Sequence, residues 1–134
     1  MNIRAVLFDL DGTLADTALD LGGALNRLLR RKGLPEVEMA KIRPVASHGA
    51  NGLIYLGAGI DKDHPQHAEW RQAYLAEYEQ CFDQDTVLFD GINELIAALH
   101  QRGLAWGIIT NKPHTFTHRL VPQLGFVVPP AVVV

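Results

Sequence analysis

Asp9 and Asp11, one residue apart, are the groups in this sequence best suited to chemistry. They sit in the run Ala5-Val6-Leu7-Phe8-Asp9-Leu10-Asp11-Gly12-Thr13-Leu14. In an extended segment, residues i and i+2 project to the same side, so both carboxylates can face one site. Paired carboxylates suit a hard, oxygen-seeking cation such as Mg²⁺, and an aspartate is also a competent nucleophile. A calcium-binding EF-hand loop does not fit. It needs glycine sixth and glutamate twelfth, whereas counting from Asp9 the glycine is fourth and the twelfth residue is Asp20. A second group, Thr110-Asn111-Lys112-Pro113, follows another apolar run. A hydroxyl and a fresh helix N-terminus at the end of a strand form an anion site, because unpaired amides and the helix dipole point at the ligand. Pro113 suits a first helical turn, where its missing N–H is no loss. Taken alone, this segment reads rather as a plain helix cap than as an anion site.

The elements that must position these groups follow from periodicity. The four apolar residues before Asp9 read as a short buried strand. Asp16 and Thr17 can cap a helix whose leucines at 21, 25, 28 and 29 keep helical spacing, with Gly33 and Pro35 closing it. Further helices are expected near 36–43, 50–57 and 65–82. The last should turn Trp70, Ala73, Tyr74, Ala76, Tyr78 and Cys81 toward a core. Nothing between 15 and 85 reads as a strand. A helix over 92–102 carries Ile92, Leu95, Ile96 and Leu99 and ends at Gly103. A buried strand over 104–109 follows, then a helix from Pro113 to about Leu124 and a third strand over 126–134. This order predicts an α/β fold, a parallel sheet with an all-helical unit inserted after the first strand.

Bulk properties narrow the function classes. At 134 residues the chain is one domain, or one domain with an insertion. Twelve basic against fifteen acidic residues give a net charge of −3, which argues against nucleic acid or an anionic membrane as partner. A single cysteine, Cys81, excludes an internal disulfide and fits a reducing compartment, so a cytoplasmic location is expected. No apolar run approaches membrane-spanning length, and with a strand expected already by residue 4 no signal peptide is expected here. His64 and His67 could be drawn as a metal pair, but no third ligand accompanies them, so they read as solvated residues.

The hydrophobic strand followed by Asp-Leu-Asp-Gly-Thr, with Thr110 at the end of the second core strand, resembles the first two motifs of the haloacid dehalogenase (HAD) superfamily. Most members of that superfamily are phosphatases. The likeness spans essentially the whole chain and is strongest to phosphoglycolate phosphatases, with N-acetylmuramic acid 6-phosphate phosphatases close by. It implies a HAD-like Rossmannoid core over 1–14 and 86–134 and a helical cap over 15–85. It further implies an enzyme hydrolysing a small phosphorylated metabolite with Mg²⁺ as cofactor. Asp9 would be the nucleophile that forms an aspartyl-phosphate. Asp11 would be the general acid/base, and both would hold the metal, Asp11 partly through its main-chain carbonyl. Leu10, Gly12, Thr13, Thr110 and Asn111 would bind the phosphoryl group. Lys112 would shape the loop or meet substrate at its edge, since the superfamily's catalytic lysine follows the third strand. His48, Gly49 and Asn51 of the cap would read the leaving group. By the same resemblance the chain is expected to be a fragment: the lysine, the acidic pair completing the metal site, and the fourth and fifth strands would lie beyond Val134. The first strand would then be an open edge prone to self-association, and without that lysine and acidic pair the fragment is expected to be inactive. A phosphomutase would share every motif present. A dehalogenase would not need Asp11. A non-catalytic phosphate- or partner-binding module is the alternative from a different class.

Overall fold

The computed structural model describes residues 3–134. The chain divides into two compact units, one formed by Met1–Asp16 with Val87–Val134 and the other by Thr17–Thr86.

The first unit is built on a three-stranded parallel sheet. Strands β1 (Ala5–Phe8), β4 (Ala105–Ile108) and β5 (Val132–Val133) lie in the order β1-β4-β5. The register pairs Ala5 with Ala105 and Phe8 with Ile108, then Gly107 with Val132. One face packs on helix α5 (Ile92–Gln101), where Leu10, Leu14, Ile96, Trp106, Ile108 and Val121 form a buried cluster. Gly107 stands at the centre of the sheet because nothing larger fits. A Cβ there would lie 2.7 Å from Val132 Cγ1, 2.8 Å from the Val132 carbonyl oxygen and 2.9 Å from Leu7 Cδ2. Leu7 and Val132 flank that glycine on the other face and remain about half exposed.

Four sequence expectations need correction in this unit. β1 is not buried: Ala5 and Leu7 are exposed, because they lie on the sheet face away from the buried cluster, which they share with exposed Ala105 and Val132. The residues after β1 do include a strand, β2 (Ala15–Asp16), which pairs antiparallel with β3 (Val87–Leu88). Two residues are too short to show any periodicity. Leu95 is exposed on α5. The expected strand over 126–134 shrinks to Val132–Val133, because Pro129 and Pro130 lack the N–H donors a ladder needs. Upstream, Phe126 and Val128 pack on the core cluster, and Trp106 Nε1 donates to the Val128 carbonyl at 3.0 Å.

The second unit holds four helices: α1 (Ala18–Arg31), α2 (Met39–Ala46), α3 (Gly49–Ala58) and α4 (His67–Glu79). Leu21, Leu25, Leu28 and Leu29 of α1 are buried as their spacing predicts, among Ile42, Leu53, Ile54, Trp70, Tyr74 and Tyr78. Tyr74 keeps its hydroxyl satisfied by donating to the Leu21 carbonyl at 2.9 Å. α1 stops where Gly33 takes φ +72°, so that Gly33 and Leu34 return their N–H groups to Arg30 and Leu29. Thr17 precedes α1 without capping it; its buried Oγ1 has no hydrogen-bond partner. Ala76, expected inside, is exposed, and Glu77 is buried in its place with an ion pair to Arg31 at 2.5 Å. His67 Nε2 is likewise buried and unpartnered, unlike a solvated side chain.

The two ends of this unit are tied together by one carboxylate. Asp20, 2% exposed, accepts the Asp85 N–H at 2.9 Å, the Thr86 N–H at 2.9 Å and the Thr86 hydroxyl at 2.8 Å, all on Oδ2. The Cys81 thiol donates to the Asp20 carbonyl at 3.4 Å, and burial pushes that thiol's pKa up, which keeps it protonated and inert. None of the described helices is long and apolar enough to cross a membrane.

Gly107→Val should overpack the sheet centre and cost about 2–3 kcal/mol, read as a lower urea midpoint at unchanged slope. Asp20→Ala strips three donors of a charged acceptor and should cost a similar amount, about 2–3 kcal/mol. The accompanying sign is faster hydrogen exchange at the amides of Asp85 and Thr86; unchanged exchange there would refute the tie.

Candidate active site

The carboxyl ends of β1 and β4 lie side by side, because a parallel register aligns their exits. The Ile109 N–H donates to the Phe8 carbonyl at 2.9 Å, which sets the segment after β4 against the segment after β1. The two candidate chemical groups, 101 residues apart in sequence, therefore meet.

After Phe8 the chain leaves regular strand geometry. The Leu10 side chain is fully buried in the core cluster. Its carbonyl collects the N–H groups of Thr13, Leu14 and Ala15 at 3.3, 3.1 and 3.0 Å. Gly12 makes this tight wrap possible with φ +79°, a region that disfavours side-chain-bearing residues. Burying Leu10 leaves Asp9 exposed and Asp11 only 9% exposed. The Leu10 N–H donates to Asp9 Oδ1 at 2.8 Å and orients that carboxylate. Gly12 and Thr13 are exposed on the turn.

On the β4 side the structure differs from the expected helix N-terminus. Helix α6 (His114–Leu120) begins three residues beyond Asn111 and has only seven residues, with Pro113 as its N-cap in an extended conformation. It ends early because Pro122 cannot continue it; the chain instead makes one 3₁₀ turn over Val121–Gln123. Thr110 uses its hydroxyl to accept the Lys112 N–H at 3.1 Å, which folds residues 110–112 into a tight loop. Asn111 is exposed on that loop. The Thr117 hydroxyl donates to the Pro113 carbonyl at 3.1 Å and steadies the loop from the helix side.

Lys112 is the residue whose placement the sequence reading did not foresee. Its ammonium lies 3.2 Å from Asp11 Oδ1, with the two side chains only 3% and 12% exposed. The signal was available: two parallel strands, one ending in acids and the other in Thr-Asn-Lys, bring opposite charges to one edge. Asp11, Lys112 and Thr110 are thus joined by an ion pair and a hydrogen bond, and Asp9 adjoins them through the backbone register. His48, Gly49 and Asn51 lie in the helical unit. His48 and Asn51 are exposed at the start of α3, and Gly49 takes φ +76°. His48 makes no side-chain cap bond there.

As a holder of metal, the site offers the carboxylates of Asp9 and Asp11 with main-chain carbonyls. Among the described residues there is no cluster of three or more His, Cys, Asp or Glu side chains. Such a donor set suits Mg²⁺, which commonly takes one or two carboxylates and fills its shell with water and substrate phosphate.

Comparison with known proteins agrees with this arrangement. The haloacid dehalogenase-like hydrolase family model matches residues 6–128. The N-acetylmuramic acid 6-phosphate phosphatase of Pseudomonas aeruginosa is 38% identical over 126 residues, covering 94% of this chain and 56% of that protein. The phosphoglycolate phosphatase of Xanthomonas campestris pv. campestris is 40% identical over 128 residues, covering 92% of this chain and 55% of that protein. The chain therefore spans a little over half the length of these relatives. A haloacid dehalogenase-like hydrolase from Bacteroides fragilis superposes with a TM-score of 0.86 over 99% of this chain and 63% of its own, at 22% identity, a likeness of fold alone. With the family match covering nearly all of the sequence, and the same fold in its solved neighbours, the chain belongs to the haloacid dehalogenase-like hydrolase family.

Proposed function

We propose that this protein is a Mg²⁺-dependent phosphomonoesterase for a small phosphorylated metabolite, such as 2-phosphoglycolate or a sugar phosphate. The observation that carries this reading is the meeting of Asp9 and Asp11 with the Thr110–Lys112 loop at one edge of the parallel sheet. Relatives named for phosphoglycolate and for N-acetylmuramic acid 6-phosphate support the substrate class.

The chemistry divides between the two acids. A carboxylate oxygen of Asp9 attacks phosphorus, and the bond from phosphorus to the ester oxygen breaks. Asp11 gives its proton to that leaving oxygen. Water then attacks the aspartyl-phosphate on Asp9 while Asp11 takes the water's proton; phosphate leaves and the Asp9 carboxylate is restored. The Leu10 N–H on Asp9 Oδ1 holds the nucleophile's orientation. Thr110, Asn111 and the main chain of Leu10, Gly12 and Thr13 bind phosphoryl oxygens. Asp9 and Asp11 would hold Mg²⁺, which supplies positive charge against the charge of the transferring group.

Substrate choice is assigned to the helical unit. The core residues named above address phosphate and metal alone, whereas His48 and Asn51 offer exposed polar side chains at the start of α3. They suit recognition of a hydroxyl or carboxylate on the leaving group.

In a form of the protein that hydrolyses 2-phosphoglycolate with Mg²⁺, Asp9→Asn should lower that activity by about 10⁴-fold or more, with circular dichroism unchanged. Turnover near the parent rate in a folded variant would refute the nucleophile. His48→Ala with Asn51→Ala should reorder kcat/KM among 2-phosphoglycolate, a sugar phosphate and an aryl phosphate. A single common loss across all three would make that loop structural.

A further inference from the structure

Helix α6 turns one face to the core and the other to solvent: Phe116, Thr117 and Leu120 are buried, whereas His114 and His118 are exposed. Four residues apart, the two histidines stand one turn above the other on that outer face. Their rings stack, with centroids 4.7 Å apart and planes 18° from parallel. His118 is further fixed. Its Nδ1 lies 2.7 Å from the His114 carbonyl oxygen, and because a carbonyl can only accept, Nδ1 carries the hydrogen. In the neutral ring, Nε2 then keeps its lone pair. Metal-ligating histidines are oriented in this way, one ring nitrogen donating to a backbone carbonyl and the other on the ion. The neighbouring Arg119 is engaged elsewhere: its Nε donates to the Thr115 carbonyl at 2.7 Å, and its guanidinium carbon lies 5.5 Å from the Phe116 ring centroid.

We propose that His114 and His118 form a second metal site, a two-imidazole chelate for a transition ion of the Cu²⁺, Ni²⁺ or Zn²⁺ class, with water completing its shell. The site does not depend on the phosphatase reading. Imidazole suits those ions, while Mg²⁺ seeks oxygen. Spacing fits. Imidazole nitrogens lie about 2.0–2.1 Å from such an ion, so two of them on one ion are at most about 4.2 Å apart. With centroids 4.7 Å apart, a turn of the His114 ring about its soft χ2 torsion brings a nitrogen within that span. His64 and His67 lack these features. His64 Nδ1 accepts the Gln66 N–H at 3.0 Å, only His67 lies in a helix, and its Nε2 is buried. A bound ion would tie the first turn of α6 to the second. That helix has only seven residues, too few to hold itself by backbone bonds alone. Its Thr117 hydroxyl reaches the Pro113 and Lys112 carbonyls, at 3.1 and 3.4 Å, so an ion on the histidines also steadies the loop that carries Thr110 and Lys112.

The test is calorimetric titration of the purified protein, free of any histidine tag, with Cu²⁺ and separately with Zn²⁺. Mg²⁺ is present in large excess as competitor for the carboxylates. One Cu²⁺ should bind per chain, more tightly than Zn²⁺, as the usual order of divalent affinities requires. His114→Gln and His118→Gln should each weaken Cu²⁺ binding about 10²-fold or more, since the chelate is lost when either ligand goes. Both positions are exposed, so both variants should fold. Asp9→Asn should bind Cu²⁺ as the parent does. Zn²⁺ should slow hydrogen exchange at the amides of α6 in the parent and in neither histidine variant. Absence of binding in the parent, parental affinity in either histidine variant, or unchanged exchange in the zinc-loaded parent would each overturn the proposal. Displacement of Cu²⁺ by Mg²⁺, or its loss in Asp9→Asn, would overturn it too by placing the ion on the acids.

Discussion

Parallel pairing of β1 with β4 is the constraint on which the rest of the first unit depends. Residues 5–8 and 105–108 are separated by most of the chain, yet their register alone decides which loops share an edge. A shift of one residue would exchange the two faces of β1, placing Leu7 where Phe8 packs near Trp106. It would also carry Asp9 out of step with Thr110. The register is held from both sides. Phe8 and Ile108 belong to the buried face, while Gly107 admits the side chains of Leu7 and Val132 on the other.

The site is assembled by two turns that obey the same logic with different chemistry. After β1, burial of Leu10 pins a turn whose amides converge on one carbonyl, leaving Asp9 exposed and Asp11 nearly buried. After β4, a threonine hydroxyl makes the turn and presents the lysine. Each turn uses a local bond to fix its backbone, which leaves the charged ends to settle the long-range contact. The ion pair between Asp11 and Lys112 is that contact.

Much of this was legible in the sequence, for identifiable reasons. Leucines 21, 25, 28 and 29 declare a helix, and they are buried as their period requires. The acids after an apolar run mark the site, and the order of elements gives the parallel sheet. What stayed hidden was decided by tertiary context. Leu7 looks like a core residue and is half exposed, because it lies on the sheet face away from the buried cluster, which no local pattern can register. Glu77 looks like a surface residue and is buried, because Arg31 on a different helix reaches it. Prolines at 129 and 130 spoil a strand that hydrophobicity alone would extend. Lys112 was visible as a charge, but its partner became evident only once the strand register was known.

The tie made by Asp20 bears on how a helical unit of this size can be carried inside a sheet fold. Where the chain enters α1 and where it leaves through Asp85 and Thr86, the backbone is held within hydrogen-bonding reach of one side chain. Closing a flexible loop grows more costly with its length, by about 0.6 kcal/mol per doubling. An insert whose own ends already meet does not impose that growth on its host. Once the helices have folded, β2 and β3 are joined through a short effective connection, whatever the length of chain between them. The insert can then lengthen, shorten or be exchanged with little effect on the sheet, provided its first helical turn keeps hold of its last residues.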